Sequence, residues 1–309
     1  MFSRISPSLP SAALGFSLLV ASCGASAFTL SEGEGRFRYS LPGSDQQLDV
    51  YTYLPDDMTR KSPIVMVMHG AGRNARYNRD AWEERAEEYG FVVIAPEFNK
   101  QDYPGSRNYN RGNLVDRKSE QPNPPEEWSY SVIEPLFEDV AETLSSTREG
   151  YYLFGHSAGC QAAHRLLTFD ITTKVEALVC SAAGVWTLPD DNMNWHFGLK
   201  DDPLDVDTTD QADFFAMPAL IMVGEDDDDP DHSNLANSSS ARALGANRVE
   251  RAINYFETSA EQAERLEVPF NWNFYIVPDA DHSTSQAAEF AADQLARFER
   301  GEGFVDMEP

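Results

Sequence analysis

Short, unbroken apolar runs alternate along the chain with segments whose apolar residues recur at helical spacing. The runs at 64–68, 91–95, 151–154, 175–180, 219–223 and 274–277 are rich in β formers, as in strands buried on both faces of a parallel sheet. Residues 48–53 instead alternate apolar and polar positions, the half-buried pattern. They pair by expectation with 37–41 across the turn residues Gly43, Ser44 and Asp45, as an antiparallel hairpin. Between the runs lie helical segments at 81–89, 132–144, 158–167 and 285–298. In the second of these, Val132, Leu136, Val140 and Leu144 form one apolar stripe. The alternation predicts an α/β fold: a doubly wound, mostly parallel sheet with right-handed crossovers and an N-terminal antiparallel hairpin. Three insertions, 99–128, 186–214 and the helical 234–268, leave or approach the strand ends where such a sheet places its ligand.

The first 27 residues read as a secretory signal rather than as fold. Arg4 is followed by an apolar stretch over 12–21 and then by Ala25-Ser26-Ala27, an A-x-A cleavage pattern. A competing reading makes Val20-Ala21-Ser22-Cys23 a lipoprotein box, with Cys23 carrying a lipid anchor. Either way the run falls short of the roughly 20 residues a spanning helix needs. The expected organisation is a signal peptide at 1–27 and a single domain at 28–309, secreted or periplasmic. Cys160 and Cys180 remain after cleavage. An oxidising compartment permits a bridge between them, but two buried free thiols are the expectation.

Composition narrows the partners. The chain has 51 acidic against 24 basic residues, a formal charge of −27. That field repels phosphate backbones, so no nucleic-acid partner is expected. Neutral esters, sugars and cations remain open. Arginine outnumbers lysine 19 to 5, and so acidic a surface suits a chain kept soluble in concentrated salt.

The chemistry concentrates at three places. Gly155-His156-Ser157-Ala158-Gly159 matches G-x-S-x-G between a predicted strand and a predicted helix, the setting of a nucleophile elbow at Ser157. A serine hydroxyl needs a base. His282 lies in the loop after the last strand, at the sheet edge where Ser157 emerges, and is assigned that part. His69 is expected to hydrogen-bond within its own loop, and His156 to pack beside the elbow. The imidazole in turn needs a carboxylate. The loop after 219–223 offers several, and Asp227, three residues past Gly224, is preferred over Asp226 and Asp228. An EF-hand spacing is lacking there, and no metal is expected. The developing oxyanion needs N–H donors: Ala158 after the nucleophile, and Ala71 or Gly72 in the loop His69-Gly70-Ala71-Gly72-Arg73. Trp186, Tyr109 and Arg73 are candidate substrate-binding residues; Trp128 and Trp195 lie in similar loops.

Together, His69 to Arg73, the 155–159 elbow, the Gly224–Asp227 loop and His282 resemble the α/β-hydrolase superfamily. Within it the chain is similar to the secreted poly(3-hydroxybutyrate) depolymerase and feruloyl-esterase-like branch, over residues 37–298. The resemblance implies a serine esterase without cofactor, acting on small or polymeric esters, with Ser157, Asp227 and His282 as its triad. An acyltransferase or peptidase could use the same groups. A non-catalytic binding module would be expected to lack one of them.

Overall fold

The computed structural model describes residues 28–41, 47–169, 174–206 and 208–306. The expected export signal, Cys23 and the hairpin turn at 43–45 lie outside the described residues. No helix among the described residues is long and apolar enough to cross a membrane.

Eight strands form one sheet: β1 (Gly33–Ser40), β2 (Gln47–Leu54), β3 (Ile64–Met68), β4 (Val92–Glu97), β5 (Tyr151–His156), β6 (Val175–Ser181), β7 (Ala219–Gly224) and β8 (Trp272–Val277), in the order β1-β2-β4-β3-β5-β6-β7-β8. The β1–β2 and β2–β4 pairs are antiparallel, and the others are parallel. The expected α/β architecture is therefore present. Its helices are α1 (Ala75–Asp80), α2 (Glu83–Tyr89), α3 (Ile133–Thr143), α4 (Ala158–Thr168), α5 (Ala212–Ala216), α6 (Ser239–Ala243), α7 (Arg248–Leu266) and α8 (Thr284–Glu299).

The unbroken apolar runs become central strands because both faces of the sheet are covered. Along β3, Met66 and Met68 join a core shared with α3, α4 and α7. Val65 and Val67 point the other way, into a core with α2 and α8. Helix α1 was not foreseen. Its sequence, ARYNRD, has no apolar stripe, and its N-terminus is held by Asn74, whose side chain accepts from the Tyr77 N–H.

The expectation of free thiols is overturned. Cys160 and Cys180 form a disulfide, with Cα atoms 4.9 Å apart. Cys160 lies in the first turn of α4 and Cys180 near the end of β6, and both are fully buried. Parallel pairing sets Gly155 beside Cys180, so the helix that follows β5 starts next to that strand end.

Candidate active site

The β5–α4 turn places Ser157 at φ 57° and ψ −118°, a conformation that costs a non-glycine residue about 1–3 kcal/mol. Two neighbours make the turn fit. The Ser157 N–H donates to the Ser181 carbonyl at 2.8 Å. Gly159 lies so close to the Met68 backbone carbonyl that a Cβ there would collide with it. The hydroxyl is thereby lifted off the sheet at the start of α4.

Its partner comes from the far end of the chain. His282 Nε2 lies 3.0 Å from Ser157 Oγ, and His282 Nδ1 lies 2.6 Å from Asp227 Oδ2. The loops carrying these two groups are sewn together. Glu225 N–H donates to the Val277 carbonyl and Asp226 N–H to the Ala280 carbonyl, at 3.0 and 2.9 Å. A Cβ at Gly224 would strike that same Ala280 carbonyl, so only glycine lets the loops meet. Of the crowded acids, Asp227 alone turns inward; Asp226 and Asp228 are exposed. Burial acts to raise the Asp227 pKa, but the His282 hydrogen bond and the Arg248 charge prevail and hold it below the usual carboxylate range.

Arg248 escaped the sequence reading. It is buried, and its Nη1 donates to Asp227 Oδ1 at 2.7 Å. Its Nη2 faces His232 Nδ1 at 3.3 Å, and the His232 ring approaches His282 edge-on with centroids 5.7 Å apart. One signal was there to read. Arg248 and Arg251 occupy the first turn of α7, after the Asn247 cap, where a cation has the wrong sign for the helix dipole. Each is compensated, Arg248 by Asp227 and Arg251 by the Gly184, Ala236 and Gly245 carbonyls. Removing one partner of a buried ion pair typically costs about 3–5 kcal/mol. Arg248→Met is therefore expected to lose stability on that scale in urea unfolding, with Arg248→Lys losing less.

The turn opposite the elbow is held from behind. The Arg73 N–H donates to the Gly70 carbonyl at 3.0 Å. His69 Nδ1 donates to the Gly70 carbonyl, while its Nε2 accepts from the Phe98 N–H, both at 3.0 Å. Arg73 spans the Phe98 and Gly105 carbonyls at 2.5 and 2.7 Å, so its guanidinium braces this loop at the edge of the cleft. Ala71, Gly72, Ser157 and Ala158 line one cleft of about 560 Å³. Ala158 opens α4, where N–H groups have no partner within the helix.

Two candidate substrate-binding residues are corrected. Trp186 is fully buried and stacked on Tyr255, with centroids 4.2 Å apart, because the chain turns inward after β6. Tyr109 is equally buried. Its hydroxyl donates to the His69 carbonyl at 2.5 Å and its ring lies under Arg73, so it supports the loop instead of facing the cleft. Trp128 is tied to the Asn123 carbonyl, and Trp195 packs on Phe169, away from this cleft. What does line the cleft is polar: Arg73, Lys100, Asn110, Gln161, Asn234 and Thr284, with no acidic side chain and no large apolar one.

Two groups of metal-ligand type converge among the described residues. In Cys160, His164 and Cys180 the sulfurs are bonded to each other, and the imidazole nitrogens meet the Cys160 carbonyl and the Thr187 N–H. In Glu34, Asp80 and Glu83 the carboxylates are ion-paired with Arg79. The acids of the 225–231 loop form no such group.

Burial holds four imidazoles neutral: His69, His156 and His196 are pushed down to about 3, and His164 falls well below its ordinary value. In the unfolded chain each takes up a proton near pH 6.5. The unfolded state then binds more protons than the native one, and stability falls as pH drops below that value. The slope is about 1.4 kcal/mol per pH unit for each ring, or about 5.5 for the four together. The thermal midpoint is expected to decline steeply between pH 6.5 and 4, as followed by circular dichroism.

Comparison with known proteins adds kinship. No family model matches the sequence, and no curated protein is significantly similar to it. Solved structures are similar. Poly(aspartic acid) hydrolase-1 from Sphingomonas sp. KT-1 is 34% identical at a TM-score of 0.81, over 85% of this chain and 98% of that one. The poly(3-hydroxybutyrate) depolymerase LpqC from Bordetella parapertussis is 27% identical at 0.78, over 89% and 93%. An S-formylglutathione hydrolase from Agrobacterium tumefaciens, 16% identical at 0.57 over 89% and 98%, shares the fold.

Proposed function

The chain belongs to the α/β-hydrolase superfamily, in its poly(3-hydroxybutyrate) depolymerase-like branch, and from that kinship we propose that it is an exported serine esterase acting through a Ser157 acyl-enzyme. The observation that carries this reading is the unbroken hydrogen-bonded line from Ser157 through His282 to a buried, ionised Asp227.

The steps follow from the geometry. His282 Nε2 takes the Ser157 proton as Oγ attacks the acyl carbon. Asp227 holds the Nδ1–H tautomer and stabilises the imidazolium that forms. The carbonyl oxygen gains charge between the Ala158 N–H and an N–H of the Ala71–Gly72 turn, which are fixed before the substrate arrives. His282 then returns the proton to the leaving alkoxide. Water repeats the sequence on the acyl-enzyme and regenerates Ser157.

A second reading keeps these steps and changes the bond. The cleft carries two cations and no acid, in a chain of charge −27. That lining suits an acyl group bearing carboxylates, and one similar protein is a poly(aspartic acid) hydrolase. Amide cleavage in an acidic polymer is the alternative this observation favours. Turnover of p-nitrophenyl butyrate, a poly(3-hydroxybutyrate) film and poly(aspartic acid), each compared with the Ser157→Ala variant, separates the two. Ester turnover that persists in Ser157→Ala defeats both.

A further inference from the structure

We propose that a second site, apart from the Ser157 cleft, binds a small monovalent anion among Arg111, Arg165 and Tyr130. The cluster is unusual for so acidic a chain. Arg165 is fully buried, yet its bonds go only to neutral oxygens: Nε to Thr187 Oγ1 at 2.9 Å and Nη1 to the Asn110 and Gln161 carbonyls at 2.7 and 3.4 Å. Its Nη2 is buried without a partner. Arg111 Nη1 donates to His196 Nδ1 at 3.2 Å and Nη2 to Ser106 Oγ at 3.4 Å, while its Nε is also buried and unpaired. The Tyr130 hydroxyl, in a side chain 1% exposed, is the third orphan.

These groups are neighbours: Thr187 Oγ1, which accepts from Arg165, donates to the carbonyl of His196, whose ring takes the Arg111 bond, and a Cβ on Gly112 would strike the Tyr130 ring. Apart from burial, the strongest influences on Arg165 are Tyr130 and Arg111, and those on Arg111 are Arg107 and Tyr130. Among the described residues no carboxylate pairs with Arg107, Arg111 or Arg165. Buried cations without a counter-charge are costly, as are buried donors without acceptors. His196 adds no further positive charge, because its ring is held neutral, pushed down to about 3 by burial and by Arg165, Arg111 and Arg107.

There is a way in. A cavity of about 370 Å³ is lined by Arg107, Arg111, Trp195, His196 and Lys200, with exposed Glu120 and Asp201 also on its wall. Two N–H donors, one O–H donor and an uncompensated positive field call for a proton-free acceptor of single charge, a halide or a carboxylate. The site would reach the cleft through Arg165. Its Nη1 holds the Asn110 carbonyl, and Asn110 Nδ2 donates to Gln161 Oε1 at 2.7 Å, on the cleft wall.

The test reads stability, so it stands apart from the reading of Ser157. At fixed ionic strength, sodium isethionate, whose anion is bulky, is replaced by sodium chloride or, separately, by sodium acetate. A saturable rise in the thermal midpoint of about 3 °C is expected in the unmodified chain. A response to chloride alone identifies a halide site, and a response to acetate identifies a carboxylate site. The rise should vanish in Arg165→Met. Arg111→Gln and Tyr130→Phe, at the edge of the cluster, should weaken it if the first variant does not fold. Bromide-soaked crystals should show anomalous density against Arg111 and Arg165. No anion-specific rise in the unmodified chain, or an equal rise in all variants, overturns the proposal.

Discussion

Replacing Ser157 by alanine is expected to slow p-nitrophenyl ester turnover about a million-fold, the scale on which losing an activated serine removes the whole proton relay. Fluorophosphonate labelling should disappear with it. The thermal midpoint should hold, because the Ser157 backbone contact to Ser181 needs no side chain. Ser157→Gly should be equally inactive but more stable, since glycine adopts φ 57° without strain. That pairing, no activity with a raised midpoint, would mark the elbow as a place where the fold bears a cost for chemistry. Residual turnover above about 1% of the parent would shift the nucleophile elsewhere.

Asp227→Asn is expected to lower kcat about ten-thousand-fold with little change in KM. Arg248 gives this variant a definite outcome. Its Nη1 requires an acceptor where Oδ1 stands, so the new amide must turn its oxygen to Arg248 and its NH₂ to His282. Nδ1 of the imidazole then accepts, the proton moves to Nε2, and an N–H faces Ser157 in place of a lone pair. Geometry is preserved while the base is lost. Steady-state kinetics beside a circular dichroism spectrum would show it; near-normal turnover would mean that Asp227 does not orient the base.

Much of this was legible because it is local. The apolar runs gave the strands, since a strand covered on both faces has no polar positions to hide it. The glycines at 155, 159 and 224 are sterically dictated, and the structure gives the contacts that dictate them. What escaped is what depends on direction. Trp186 stands six residues beyond the apolar run at 175–180 whichever way the chain turns, and only the stack on Tyr255 reveals that it turns inward. Arg248 comes from the start of a helix 21 residues after Asp227, in a stretch whose polar pattern reads as solvated surface. The disulfide depended on the first turn of α4 facing β6, which spacing alone does not fix.

That bridge closes a ring that begins one turn after the nucleophile and ends where β6 meets the elbow. All but the first two residues of α4, and all but the last of β6, lie on it or within it. Closing the ring takes chain entropy from its unfolded form, so this segment gains a stability the outer strands lack. In native-state hydrogen exchange this central unit should be the last to open, so that a half-unravelled molecule still carries its elbow intact.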